Sequence, residues 1–362
     1  MSLLSRSAGI YADTVPRTPV PSPFVWSSRL RTRFRGIDVR DGVLLRGDAG
    51  WGELSPFWDY DDAESATWLR AAREAATVGW PSPVRAHVPV NVTVPAVGPE
   101  QVRAIVLASG GCRTAKVKVA QRTDGVLEPV AAEVERVAAV RAVFDELHGP
   151  GVGRIRVDAN GGWTVAEALT HLRDLDRAAR GLEYAEQPCA SVEDLAALRR
   201  ELLRAGLDVP VAADESVRRA ADPLRVVALD AADIVVLKVQ PLGGVRACLD
   251  LAERVGLPVV VSSALESSVG LAAGVALAGA LPDLPYACGL ATSQLLAHDV
   301  VADPLLPVDG ALPVLRAGDP RLEPDAAALE SATASDAVRA RWLDRADRLA
   351  ALLDAGNPGS AR

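Results

Sequence analysis

RIRVDAN, residues 154–160, decides the fold: a short run of strand character ends on an aspartate, and a longer stretch of helical period rich in Ala, Leu and Arg follows it. The same unit recurs as LEYAEQP at 182–188, VPVAADES at 209–216 and DIVVLKV at 233–239, and TAKVKV at 114–119 precedes the set. Short strands alternating with helical segments are the signature of a βα repeat, which builds a parallel sheet. Working outward, strands are predicted at 88–94, 114–119, 154–158, 182–186, 209–214, 233–238, 258–262 and about 286–290. Eight such units in about 200 residues match a (β/α)8-type barrel. The competing topology, an open doubly wound sheet, would be favoured by a Gly-rich dinucleotide turn after its first strand, and none stands there.

The flanks read differently. Segments 36–39, 43–46 and 50–54 form an antiparallel meander, with turns expected at Asp41-Gly42 and Asp48-Ala49-Gly50. A helix over 61–78 stops at Gly79. Near the other end, a strand over 311–316 and an amphipathic helix over 336–355 return to this N-terminal layer. The expected division is a loose extension at 1–22, the N-terminal part of an α+β capping domain at 23–87, the barrel at 88–303 and a C-terminal capping segment at 304–362.

With 24% charged residues and a net charge of −8, the chain lacks the basic field that gathers nucleic acid. No run approaches the roughly 18 apolar residues of a membrane span, and no apolar leader opens the sequence, so a cytoplasmic protein is expected. Cys112, Cys189, Cys248 and Cys288 are widely spaced and read as reduced, buried thiols. Oligomeric state is not legible, and a monomer is compatible with all of this.

In a barrel, chemistry gathers at the C-terminal strand ends. Those ends carry Lys116 and Lys118, Asp158, Glu186, Asp214 and Lys238. The chain has 36 arginines and only these three lysines. Arginine does not deprotonate in a protein, whereas a lysine amine can be tuned to act as a base. The spacings from 158 to 186, 214 and 238 are 28, 28 and 24 residues, one βα unit each, so the ends converge. Three carboxylates make a hard oxygen cage suited to Mg²⁺, with Mn²⁺ as a substitute. A divalent ion on a substrate carboxylate offsets the charge that builds when an α-proton leaves, and a lysine beside it takes that proton. Lys116, a cation next to Lys118, helps bring the base toward operating pH. Ser262, Ser263, Asn160 and Gly289 are candidate substrate contacts. Gly52-Glu53 reads as a surface turn of the meander or part of a lid.

This set resembles the enolase superfamily, in particular its muconate lactonizing enzyme subgroup, over nearly the whole chain. The resemblance implies Asp158, Glu186 and Asp214 as Mg²⁺ ligands, Lys118 as the acid/base and Lys238 as the facing lysine. TRFRGI (32–37), GWGELSPF (50–57), NVTVPA (91–96), AEQPC (185–189), SSALESSVGLAAG (262–274) and CGLATSQLLAHDV (288–300) are similar to a branch whose members are lyases of menaquinone biosynthesis. The implied reaction is dehydration of 2-succinyl-6-hydroxy-2,4-cyclohexadiene-1-carboxylate to o-succinylbenzoate through an enediolate. Opposed lysines also serve N-succinylamino acid racemases and other racemases or cycloisomerases of the subgroup. A more distant alternative is a Schiff-base lyase, with Lys238 as the nucleophile and Asp158 as proton shuttle.

Overall fold

Residues 22–220 and 222–355 are described by the computed structural model, so the expected extension over 1–22 lies outside them except for its last residue. The chain begins with a three-stranded antiparallel sheet, β1 (Phe24–Phe34), β2 (Ile37–Gly47) and β3 (Gly50–Leu54). The first hairpin turns at Arg35-Gly36, whose φ angles of 51° and 77° are those of a tight two-residue turn matching strand twist. The Asp41-Gly42 turn expected from the sequence is therefore absent, and those residues run mid-strand. Gly42 is needed there for packing, since a Cβ would stand 2.6 Å from the Ser55 Cβ. The Asp41 carboxylate accepts from the indole N–H groups of Trp58 and Trp342, at 3.1 Å each. Helix α1 (Asp62–Arg73) starts at Asp61, whose side chain accepts from the Glu64 N–H at 2.8 Å. It runs on as a π-helical turn to Val78 and stops at Gly79.

The second layer is the βα repeat. Its strands are β4 (His87–Pro89) leading into β5 (Val92–Val94), then β6 (Thr114–Lys118), β9 (Arg154–Asp158), β10 (Ala185–Glu186), β11 (Val211–Ala213), β12 (Ile234–Leu237) and β13 (Val259–Val261). A small hairpin, β7 (Arg122–Thr123) and β8 (Val126–Leu127), rises from the loop after β6. Strands β5, β6, β9, β10, β11, β12 and β13 form one parallel sheet in that order. The eighth unit, expected as a strand over 286–290, contributes two bridging residues. Cys288 pairs with Val90 and Gly289 with Ser262, which joins the two edges of the sheet. A side chain at 289 would meet the Ser262 Oγ at 2.5 Å, so only glycine passes here.

Helices α2 (Pro99–Leu107), α3 (Val130–His148), α4 (Val165–Ala179), α5 (Val192–Arg204), α6 (Glu215–Arg218), α7 (Arg225–Ala228), α8 (Val239–Leu242), α9 (Val245–Val255) and α10 (Ser268–Ala280) connect the strands. Val and Leu side chains between sheet and helices form the larger core, and all four cysteines are free and buried. Strand β14 (Ala311–Pro313) pairs antiparallel with β4, beside the start of the first barrel strand, rather than joining the N-terminal layer as expected. After α11 (Ala326–Ser331), helix α12 (Asp336–Ala355) does return there, packing Trp342 and Leu349 with Trp68 and Leu69. Arg345 is buried under it and donates to the carbonyls of Phe57 and Tyr60 at 3.1 and 2.7 Å. Glu53 is likewise buried, at 2% exposure, and accepts from the Ser55 hydroxyl, the Ser267 hydroxyl and the Gly270 N–H. It belongs to the joint between the N-terminal sheet and α10, not to a surface turn or lid. Among the described residues, no helix is long and apolar enough to cross a membrane.

Candidate active site

Strand alternation sets the site. Side chains two apart share a face, so Arg156 and Asp158, Tyr184 and Glu186, Val236 and Lys238 fall on the inner face in turn. The lower layer is Tyr184, Ala212, Ile234, Val236 and Val260, packed as an apolar filling. Arg156 threads it, donating to the Tyr184 hydroxyl at 2.7 Å, the Ala287 carbonyl at 2.8 Å and Glu183 at 2.9 Å. The upper layer is ionic. Pairing register aligns Lys118 with Asp158 and Asp158 with Glu186.

Each carboxylate of that layer meets an ammonium. Lys116 donates to Glu186 at 2.9 and 3.1 Å and stands 3.4 Å from Asp158. Lys118 donates to Asp158 at 2.6 Å and to the Asn160 side-chain oxygen at 2.7 Å. Lys238 donates to Asp214 at 2.6 Å. The Asp214 carboxylate also accepts from Arg218 Nε at 2.9 Å.

Burial opposes charge on all three acids, and the outcome differs with their partners. Asp158 is desolvated, yet Lys118 and Lys116 outweigh this and bring it down to about 2. Asp214 is also desolvated, and Arg218 with Lys238 holds it below the ordinary carboxylate range. Glu186 goes the other way, pushed up to about 7 by burial and by the neighbouring Asp158 charge. Burial alone would lower Lys116, but Glu186 and Asp158 hold it above its ordinary value.

Among the described residues, no three acidic, His or Cys groups stand together as a ready-made metal cage. The oxygens instead face ammonium groups. The donor set still fits a hard divalent ion: three buried carboxylates at consecutive strand ends, one of them strained by its like-charged neighbour. Asp158, Glu186 and Asp214 could hold such an ion once their oxygens turn from the lysines.

Above this layer lies a cavity of about 700 Å³. Lys116, Lys118, Lys238, Asp158 and Asn160 line it, and Ser262, Ser263 and Gly289 face it from the seam of the sheet. Glu186 and Asp214 sit behind the lysines. The Ser263 hydroxyl shares a hydrogen bond with Thr292 at 2.7 Å, and the Ser262 hydroxyl makes a long contact to the Gly289 carbonyl, at 3.5 Å. The β1–β2 turn closes one side, with Phe34 5.3 Å from the Lys118 ammonium.

Sequence reasoning missed Arg218, Tyr60 and Gln187. Arg218 bonds Asp214, Glu215 at 2.6 Å and the Tyr60 hydroxyl. Its position four residues beyond Asp214 on a short helix was the available signal. The Gln187 side-chain oxygen Oε1 accepts from the Asp214 and Ser216 N–H groups at 2.9 and 3.1 Å, fixing the strand end behind the site.

Two family models match the chain: an enolase C-terminal domain-like model over residues 99–319 and an enolase N-terminal domain-like model over residues 25–76. The chain belongs to the enolase superfamily. More particularly, it is 60% identical over 318 residues to an o-succinylbenzoate synthase of Thermobifida fusca (strain YX), covering 86% of this chain and 94% of that one. It is 50% identical over 316 residues to the o-succinylbenzoate synthase of Mycolicibacterium smegmatis, covering 87% and 91%. The muconate lactonizing enzyme of Pseudomonas putida shares the fold, with a TM-score of 0.65 at 19% identity over 89% of this chain and 98% of that chain.

Proposed function

We propose that this chain is a Mg²⁺-dependent hydro-lyase converting 2-succinyl-6-hydroxy-2,4-cyclohexadiene-1-carboxylate to o-succinylbenzoate, as the names of its relatives indicate. The observation that carries the reading is the layer of three lysines and three carboxylates under one cavity in a chain 60% identical to such an enzyme. Asp158, Glu186 and Asp214 are the ligands we assign to the ion. When bound, Mg²⁺ supplies positive charge beside the substrate carboxylate as the α-carbon loses its proton.

The remaining work falls to the protein. Lys118 Nζ takes the α-proton; the electron pair left behind expels the hydroxyl at the neighbouring carbon, and the protonated amine returns its proton to that hydroxyl, which leaves as water. Asn160 and Asp158 aim the amine. Lys238 places a fixed cation across the cavity, and Lys116 compensates Glu186. Ser262, Ser263 and the backbone of Gly289 are positioned for substrate oxygens. The N-terminal capping segment at 23–87 closes the site over the barrel at 88–303 through Thr32–Gly36, Phe57, Tyr60 and Trp68, and α12 of the C-terminal segment supports it from behind. A biosynthetic dehydration on a small carboxylate fits a cytoplasmic setting.

The test is direct. Protein with Mg²⁺ and the cyclohexadiene substrate should give the ultraviolet rise of aromatisation, lost in excess EDTA and restored by Mg²⁺. Activity that persists in EDTA overturns the metal assignment. Turnover seen only as racemisation of N-succinylamino acids would replace the dehydration by the racemase reading that the opposed Lys118 and Lys238 also allow.

A further inference from the structure

The proposed substrate carries two carboxylates, and the lysine layer accounts for one. The other ends the succinyl arm, and a carboxylate taken out of water needs a cation or hydrogen-bond donors in exchange. The cations deep in the cavity are committed: Lys116, Lys118, Lys238 and Arg218 all pair with the buried acids or Glu215. At the mouth, Arg122 donates to the Gly162 carbonyl at 3.1 Å and Arg33 to the Gly36 carbonyl at 3.1 Å, both as exposed contacts.

Arg35 is different. Its guanidinium lies 4.2 Å over the Phe57 ring and donates to the Tyr60 hydroxyl at 3.3 Å. Tyr60 also accepts from Arg218, so the cation at the mouth is braced against the residue that holds Asp214. Its ionic partner is Asp59, 3.6 Å away with a side chain 63% exposed, against 33% for Arg35. An exposed pair of that kind is weak and readily exchanged. The backbone adds a second sign. Arg35 holds a φ of 51° at a turn position that favours Asn, Asp or Gly, so local conformation does not explain an arginine here.

We infer that Arg35 is the specificity residue for the succinyl carboxylate: it exchanges Asp59 for that group and holds it against the Phe57 and Tyr60 platform. The inference rests on the proposed dehydration of a dicarboxylate. Arginine suits the task because its planar fork binds a carboxylate through two N–H groups while stacking on an aromatic ring.

The experiment compares wild type, Arg35→Asn and Arg35→Lys. Asparagine tolerates the left-handed turn and removes the charge; lysine keeps the charge without the fork. Each is assayed with the dicarboxylate substrate and with its analogue carrying a carboxamide at the end of the succinyl arm. Expected is a rise in KM of about 10- to 100-fold for Arg35→Asn on the dicarboxylate, with kcat nearly unchanged, no such rise on the carboxamide, and partial recovery in Arg35→Lys. A KM that stays constant, or rises equally on both substrates, overturns the assignment. Titration of o-succinylbenzoate and its arm-terminal carboxamide separates this from failure of the functional reading. If wild type turns over neither substrate but prefers the dicarboxylate, and Arg35→Asn loses that preference, Arg35 stands and the reaction falls. Equal binding of the two by wild type overturns Arg35. Should Arg35→Asn not fold, the same comparison is read on Arg35→Lys.

Discussion

Glu53 offers the sharpest test of how the N-terminal sheet is fixed to the barrel. Its carboxyl is buried and pushed from the ordinary 4.5 up to about 7, chiefly by loss of solvent; the Ser267 and Ser55 hydroxyls oppose the shift and Glu266 adds to it. The folded state therefore holds a proton that the unfolded chain has released between those two values. A group raised in this way gives its full stability below pH 4.5 and loses it progressively as the pH rises to about 7. At about 1.4 kcal/mol per pH unit of separation, the loss across the window is roughly 3 kcal/mol. Glu53→Gln keeps the shape and the acceptor oxygen but cannot ionise. Urea midpoints from pH 4.5 to 8 should show wild type losing stability relative to the variant by roughly 3 kcal/mol as the pH rises, with the difference flat above pH 7.5. Taking the difference cancels the other buried acids. Parallel curves for the two proteins would refute the argument.

Lys118→Arg keeps a cation beside Asp158 but removes a base that can lose its proton; turnover should fall by about 10²- to 10⁴-fold while circular dichroism and thermal midpoint stay near wild type. Arg156→Met strands Glu183 at the barrel floor; chemical denaturation should show a loss of roughly 3 to 5 kcal/mol, and a change under 1 kcal/mol would show that the floor does not depend on this pair.

The strand ends were legible because one βα unit has nearly fixed length, so Asp158, Glu186, Asp214 and Lys238 declared themselves by spacing. The lysines stood out against 36 arginines. Helix α12 was legible from its own period, and it starts at Asp336 as predicted. What failed depended on distant partners. Asp41-Gly42 has the local chemistry of a turn, but Trp342 and Trp58 claim the aspartate and Ser55 the space beside the glycine. Strand β1 was missed because its arginine-rich outer half has no continuous apolar face. The eighth strand shrank to two residues because closure needs only the Cys288 and Gly289 bridges. Arg218 and Tyr60 come together across 158 residues, which no local pattern signals.

The return of α12 bears on the order in which the molecule is made. Trp342 meets Asp41 from 301 residues further along the chain, and Arg345 meets the carbonyls of Phe57 and Tyr60 from 288 and 285 residues further. At roughly 5–20 residues per second on a ribosome, the first three strands wait about 15 to 60 s for the helix that covers them. The βα units, whose neighbours are adjacent in sequence, can assemble during that interval. The cavity wall formed by the β1–β2 turn, Phe57, Tyr60 and Trp68 thus gains its last support when α12 docks, and a nascent product truncated before α12 would carry the lysines and carboxylates beside a wall that lacks the Trp342 and Arg345 contacts.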